Sequence, residues 1–203
     1  DDSFGADGLE GAQKGLAAAK LTAVAVAKFD RSKPDFSQIA PAMAKLSPQA
    51  IVVIGSGTAV VDGIKALKKA GSSGAQFVTL SNNASSGFIK LLGDDAHGVI
   101  VSQVLPQSPN YALVQEAALA AKAQGIFLEV SPAMLEGFAS AKVLVEALRR
   151  TGAKPTRAKV QATLDNFAKF DLGGLSVSYS PTDHTGLDFS DLSIITASGR
   201  FRR

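Results

Sequence analysis

Cysteine and tryptophan are absent from the chain, and histidine, tyrosine and methionine occur only twice each. Without a thiol there can be no disulfide, no thiolate nucleophile and no cysteine-based zinc site. The two histidines, His97 in a turn and His184 in a polar loop, have no second ligand at metal spacing, so each reads as a surface or turn residue. No Gly-x-Ser-x-Gly elbow, phosphate-binding P-loop or His-Glu-x-x-His pair occurs, which leaves nucleophilic, phosphoryl-transfer and zinc chemistry without a motif. An enzyme reading therefore rests only on the fact that α/β folds host many activities, and no cofactor is implied. The adjacent carboxylates Asp1–Asp2 and Asp94–Asp95 read as solvated loop charges.

Two further scarcities narrow the class. No apolar run approaches the ~20 residues that cross a bilayer. The net charge of +3 leans on Arg200, Arg202 and Arg203, with no basic stripe interleaved with aromatics elsewhere, which argues against nucleic acid as a partner. No charged-then-apolar leader precedes Asp1, so an export signal is expected to have been removed or to lie outside these residues.

What is present is a chain of 203 residues, 46% apolar and 19% charged, a balance that favours folding over disorder. Small apolar residues alternate with polar ones over residues 8–19, as in an amphipathic helix, and Leu21–Ala27 is short and β-branched, which predicts a strand. Asp35 is placed to cap a helix reaching Leu46. Ala50–Ile54 is the clearest strand, and its unbroken apolar character predicts a parallel strand buried on both faces. The unit then repeats: Gly55–Thr58, a helix to about Ala70, a turn over Gly71–Gly74, the strand Gln76–Leu80, a short helix at Phe88–Leu92 and the strand Gly98–Gln103. Such alternation predicts a parallel sheet flanked by helices. After Pro106 the rhythm changes to helices at about Asn110–Ala123, Pro132–Arg150 and Thr156–Phe167, the second with Leu135, Phe138, Val145 and Leu148 near one face. Gly173–Tyr179 and Leu192–Thr196 read as closing strands joined by the polar loop Ser180–Asp188.

Two loops stand out. Gly55-Ser56-Gly57-Thr58 follows a strand and opens a helix, where free N–H groups and the helix dipole favour anions. It fails as a dinucleotide fingerprint because Val60 stands where Gly or Ala is required, and a tight turn needing glycine explains it equally well. Ser81-Asn82-Asn83-Ala84-Ser85-Ser86 lies just past the next strand's carboxyl end. Alone it reads as a capped loop. Together, the two loops share the sheet edge at which open α/β sheets bind ligands.

Several segments, in order, resemble the type I periplasmic solute-binding proteins of the branched-chain amino-acid and amide ABC importers. They are Asp2-Ser3-Phe4-Gly5 with Gly8-Leu9-Glu10-Gly11, Pro48–Val52, Gly74–Phe77, Gly98–Pro106, Leu135-Glu136-Gly137-Phe138, Asp171–Gly174 and Asp183–Gly186. The resemblance implies a periplasmic-binding-protein-like α/β fold of type I. Residues 1–104 would form the second-lobe α/β domain, 105–172 the helical part of the first lobe, and 173–203 the C-terminal crossing strands and loop. It implies a periplasmic binding protein, not an enzyme, that captures a small organic solute by hinge closure and is recognised by a membrane permease. The same fold also serves as the ligand-sensing domain of regulators and receptors.

Carried over by position, the resemblance places ligand contacts at Phe4, as an apolar wall, at Ser56, Gly57 and Thr58, and at Ser81 and Asn82. The amino-acid binders have an aromatic residue where this chain has Ser56 and Gly57, and a glutamate for the ligand's ammonium group where it has Ser81. A buried ammonium without a carboxylate is costly, so the expected solute is a small organic one, amino-acid-like or an aromatic or other organic acid, with the residues disfavouring an α-amino acid. The family's N-terminal stretch, which builds most of the first-lobe sheet, does not lie in these residues. The helices from Asn110 to Phe167 are therefore expected to expose apolar area, and the chain to be a fragment with dimerisation or domain swapping as a remedy.

Overall fold

A computed structural model of the chain describes residues 2–127 and 129–203. The chain divides into two compact units, residues 1–102 with 192–203, and residues 103–191.

Unit 1 is an α/β layer. Its helices are α1 (Ser3–Ala18), α2 (Ile39–Lys45), α3 (Thr58–Leu67) and α4 (Ser86–Leu92), and its strands are β1 (Ala50–Val53), β2 (Gln76–Thr79) and β3 (Ile100–Gln103). Strand β1 runs parallel to β2, with Val53 opposite Thr79, and β2 runs parallel to β3. The sheet is completed from the end of the chain, because the later strands β6 (Asp191–Ile195) and β7 (Phe201–Arg202) extend it in the order β1-β2-β3-β6-β7, the last two antiparallel. Val60 and Ile64 of α3 pack with Phe77, Leu92, Val101 and Ile195 in one apolar core.

The strand expected over Leu21–Ala27 does not form. The segment carries no ladder hydrogen bonds, and Leu21, Val24 and Val26 are exposed. Its β-branched alternation is a local preference, and strand propensity acts only through packing partners. In consequence β1 is an edge strand and not the doubly buried one its apolar run predicts, and Val52 is 48% exposed. Asp35 does not cap α2 either. Its carboxylate accepts from the Ser37 N–H at 2.9 Å, and the helix begins only at Ile39.

Unit 2 holds α5 (Ala112–Ala123), α6 (Pro132–Thr151), α7 (Arg157–Leu164) and a two-stranded ribbon of β4 (Phe170–Asp171) and β5 (Ser176–Val177). Ser131 and Thr156 cap α6 and α7 by accepting from the Met134 and Lys159 N–H groups, and Pro132 at the first position of α6 costs no helical bond. Leu113, Leu135, Ala139, Leu172 and Val177 form the core. The stripe expected on α6 is displaced. Leu135 is fully buried, but Val145 and Leu148 are exposed. They lie ten and thirteen residues on, so at 3.6 residues per turn they stand about 80° and about 140° around the helix from it. The buried positions further along α6 are Glu146 and Ala147. The expected exposed apolar area is found on this helix (Leu144, Val145, Leu148) and on α5 (Leu119). The stretches expected to be closing strands enter different sheets, since β5 pairs with β4 while β6 joins the sheet of unit 1.

Glu146 accepts from Arg149 Nε at 2.8 Å and Arg150 Nε at 2.7 Å, while the Arg150 guanidinium lies 4.4 Å from the Phe167 ring centroid. The hydrogen bonds from Arg149 and then Arg150 bring the Glu146 carboxyl from its ordinary 4.5 down to about 2. A carboxyl with a depressed folded pKa stabilises the fold above its unfolded pKa, and that contribution disappears as the folded pKa is crossed. Thermal unfolding measured against pH is therefore expected to lose a Glu146-dependent part between about 4.5 and about 2, a part that Glu146→Gln removes. An unchanged acid profile in Glu146→Gln would show that the carboxylate contributes nothing.

Candidate ligand site

The carboxyl ends of β1 and β2 lie side by side, so the loops that follow them meet. Beyond the Val53–Thr79 pair the ladder stops, and the backbone polar groups of residues 54–57 need other partners. Asn83 supplies two of them. Its Oδ1 accepts from the Gly57 N–H at 3.1 Å, and its Nδ2 donates to the Gly55 carbonyl at 3.1 Å and to Thr79 Oγ1 at 3.0 Å. Thr79 Oγ1 in turn donates to the Val53 carbonyl at 2.9 Å. Asn82 Nδ2 also donates to the Gly55 carbonyl, at 3.1 Å, and the Ser81 N–H donates to Ser102 Oγ on β3 at 3.1 Å. Side chains thus tie the ends of three strands together where the main-chain ladder ends.

Five of the six residues singled out in the sequence, Ser56, Gly57, Thr58, Ser81 and Asn82, lie in these two tied loops. Gly57 has φ +58 and ψ −134, a conformation that only glycine adopts without strain, and α3 starts at the next residue. Among the described residues no hydrogen bond engages the hydroxyls of Ser56, Thr58 or Ser81, and all three residues are at least partly exposed. Neither loop contains an acidic side chain.

Phe4 sits apart from this network, in the first turn of α1. The Arg31 guanidinium lies 5.5 Å from its ring centroid and pairs with the Asp2 carboxylate, which also caps the helix by accepting from the Gly5 N–H at 2.8 Å. The Gly5 hydrogen bond and the Arg31 charge hold the Asp2 carboxyl below the usual carboxylate range. One turn on, Gly8 packs against Ile54, just past the end of β1; a Cβ there would come within 2.7 Å of Ile54 Cγ2. Phe29 covers Gly55 in the same way.

The residues missed by sequence reasoning are Asn83, Thr79 and Ser102. Thr79 ends β2, Ser102 lies next to the end of β3, and Asn83 closes the short turn Ser81–Asn83 that follows β2, a loop the sequence marks as polar without singling out this residue. Asn83 and Thr79 are almost wholly buried, and a buried polar side chain must find partners. Two cavities lie elsewhere. One of about 320 Å³ in unit 1 is lined by Ser47, Gln49 and Ser72, and one of about 300 Å³ in unit 2 by Tyr179, Asp165 and His184. His184 Nε2 stands 3.3 Å from Asp165 Oδ1. Among the described residues no group of three His, Asp or Glu side chains could hold a metal ion, and no helix is long and apolar enough to cross a membrane.

Ligands of open α/β sheets bind at the carboxyl edge where this polar loop cluster lies, and residues 1–190 match the family model described as periplasmic binding protein. The chain belongs to this family, which is one of binding proteins and not of enzymes. Its fold is similar to part of a substrate-binding periplasmic protein from Ralstonia solanacearum, at 27% identity and TM-score 0.82 over 99% of this chain and 58% of that one. A possible leucine/isoleucine/valine-binding protein from Rhodopirellula baltica aligns at 23% identity and TM-score 0.82 over 100% of this chain and 57% of that one. A branched-chain amino-acid ABC transporter protein from Thermus thermophilus, with bound valine, aligns at 18% identity and TM-score 0.77 over 99% and 56%. The chain thus spans less than two thirds of the length of these structures. A comparison with curated protein sequences gives no match.

Proposed function

We propose that the chain belongs to the solute-capturing component of an ABC importer acting in the periplasm, with the loops at Ser56–Thr58 and Ser81–Asn82 as one wall of the solute site and Phe4 as an apolar neighbour. The observation that carries this reading is the cluster of three hydroxyls, on Ser56, Thr58 and Ser81, without intramolecular partners, held on adjacent strand ends by a buried amide network. Hinge closure over the solute and recognition by a membrane permease accompany the reading as the family resemblance implies them.

The wall offers neutral hydrogen-bonding groups and no carboxylate. A ligand ammonium group desolvated there would have no counter-charge, whereas a hydroxyl, carbonyl or carboxylate would find donors. The solute class this favours is an organic acid, aromatic or aliphatic, over an α-amino acid. Calorimetric titration with benzoate, L-leucine and L-valine tests it. Heat of binding with benzoate and none with the amino acids is expected, and micromolar leucine binding would overturn the solute class. The exposed apolar residues of α5 and α6 support contact with a second copy of the chain, which sedimentation velocity would register as a concentration-dependent dimer; a monomer throughout would exclude it.

A further inference from the structure

We infer that Asn83 is a positioning residue that sets the spacing of the two ligand loops, and so governs solute affinity without touching solute. The inference rests on the reading of those loops as a solute wall. A side-chain amide can accept at its oxygen and donate twice from its nitrogen. In Asn83 both donors and one acceptor site are engaged inside the protein: Oδ1 accepts from the Gly57 N–H, and Nδ2 donates to the Gly55 carbonyl and to Thr79 Oγ1, each within 3.1 Å, with Asn82 Oδ1 a further acceptor at 3.3 Å. The side chain is 2% exposed. It has no donor and almost no surface left for a ligand.

Its partners show what it does. Gly55 and Gly57 flank Ser56, and Gly57 directly precedes Thr58, the first residue of α3. Asn83 itself lies in the turn that carries Ser81 and Asn82. One amide therefore fixes both sides of the hydroxyl cluster relative to each other. The anchoring reaches into the sheet through Thr79, whose hydroxyl passes the connection on to the Val53 carbonyl. Strands β1 and β2 hold register only up to Val53 and Thr79, so beyond that point the loops are tied by this buried side chain, with the exposed Asn82 amide adding a second bond to the Gly55 carbonyl. Hydroxyls that must meet one solute simultaneously lose affinity steeply when their spacing drifts, because the ordering of the loops must then be supplied by the ligand.

Amide hydrogen exchange on the 203-residue chain, read residue by residue by NMR, tests the clamp with no ligand present. In Asn83→Ala the Gly57 amide is expected to exchange at least about tenfold faster, the size of one lost hydrogen bond, while Val53, Phe77 and Val78 in the ladder keep their protection. In Asn83→Asp the acceptor for Gly57 remains and both donors are lost. Gly57 protection is therefore expected to return while the resonances around Gly55 and Thr79 stay shifted. A merely structural role predicts that all of these amides speed up together in both variants. That result, or unchanged Gly57 exchange in Asn83→Ala, overturns the inference. Benzoate titration of the same variants is expected to show affinity weakened about tenfold or more in both, and affinity equal to wild type in Asn83→Ala also overturns it. If wild type binds neither benzoate nor leucine, the solute reading fails separately, and the exchange pattern still decides whether Asn83 clamps the loops.

Discussion

Replacing Gly173 by alanine is expected to remove roughly 2–6 kcal/mol of stability, from about 1–3 for a strained backbone conformation and about 1–3 for overpacking. Gly173 follows β4 with φ +119, which side chains rarely tolerate, and an added Cβ would stand 2.6 Å from the Leu113 nitrogen and 3.1 Å from its Cα. These atoms are backbone at the start of α5, so no rotamer change relieves the contact. The same N–H of Leu113 donates to the Gly173 carbonyl at 3.1 Å, and Asp171 Oδ1 holds the turn by accepting from the Gly173 and Gly174 N–H groups at 2.9 and 2.8 Å. A shift that admits the methyl group must therefore disturb these hydrogen bonds. Gly74→Ala is the matched control, since nothing lies within 4 Å of a Cβ there and its φ is not positive. It should stay within about 1 kcal/mol of wild type. Thermal or urea unfolding of the two variants decides; similar stabilities would show that the close approach at Gly173 is not a constraint.

Ile64→Ala is expected to cost about 2–5 kcal/mol and Ile64→Val about 0.5–1.5, the usual range for deleting three methyl-sized groups or one from a filled core. Ile64 has no exposed surface and sits in the middle of α3 against the sheet. The site is crowded: Phe36 packs so closely on neighbouring Gly63 that a Cβ there would meet its ring at 2.9 Å. Because α3 also carries Thr58 at its first turn, loosening the helix is expected to weaken solute binding in Ile64→Ala while Ile64→Val retains it. Denaturant melts with matched titrations would measure both effects, and a loss below about 1 kcal/mol in Ile64→Ala would mean the core closes over the cavity.

Much of unit 1 is legible in the chain because its elements are local. The apolar run at Ala50–Val53, the glycine-bearing turn at 55–57 and the helix after it follow from spacing and turn chemistry, and so does the position of the second polar loop one βα unit later. What local pattern could not supply was partner choice. Leu21–Ala27 has the composition of a strand, yet whether it pairs depends on a neighbouring edge and not on its own residues. The same holds for Val145 and Leu148, whose apolar character is plain while the face they occupy is set by where α6 meets α5 and α7. Asn83 is the clearest case. In the chain it is one of two adjacent asparagines in a polar loop, and Asn82, the one that reads as a ligand contact, is the more exposed of the pair.

The sequence by itself determined the βα rhythm, the two polar loops after successive strands, the lack of a catalytic motif and of a carboxylate in those loops, and, through the order of its matching segments, the family resemblance. These are properties of composition and spacing, which survive any arrangement of the elements. Only the tertiary structure decided that residues 192–203 return to complete the first unit's sheet, that β1 ends the sheet as an exposed edge, and that the amides of Asn82 and the buried Asn83 tie the two loops together. Each of those depends on residues far apart in the chain competing for the same hydrogen-bonding groups, and that competition is resolved only when the strands lie side by side.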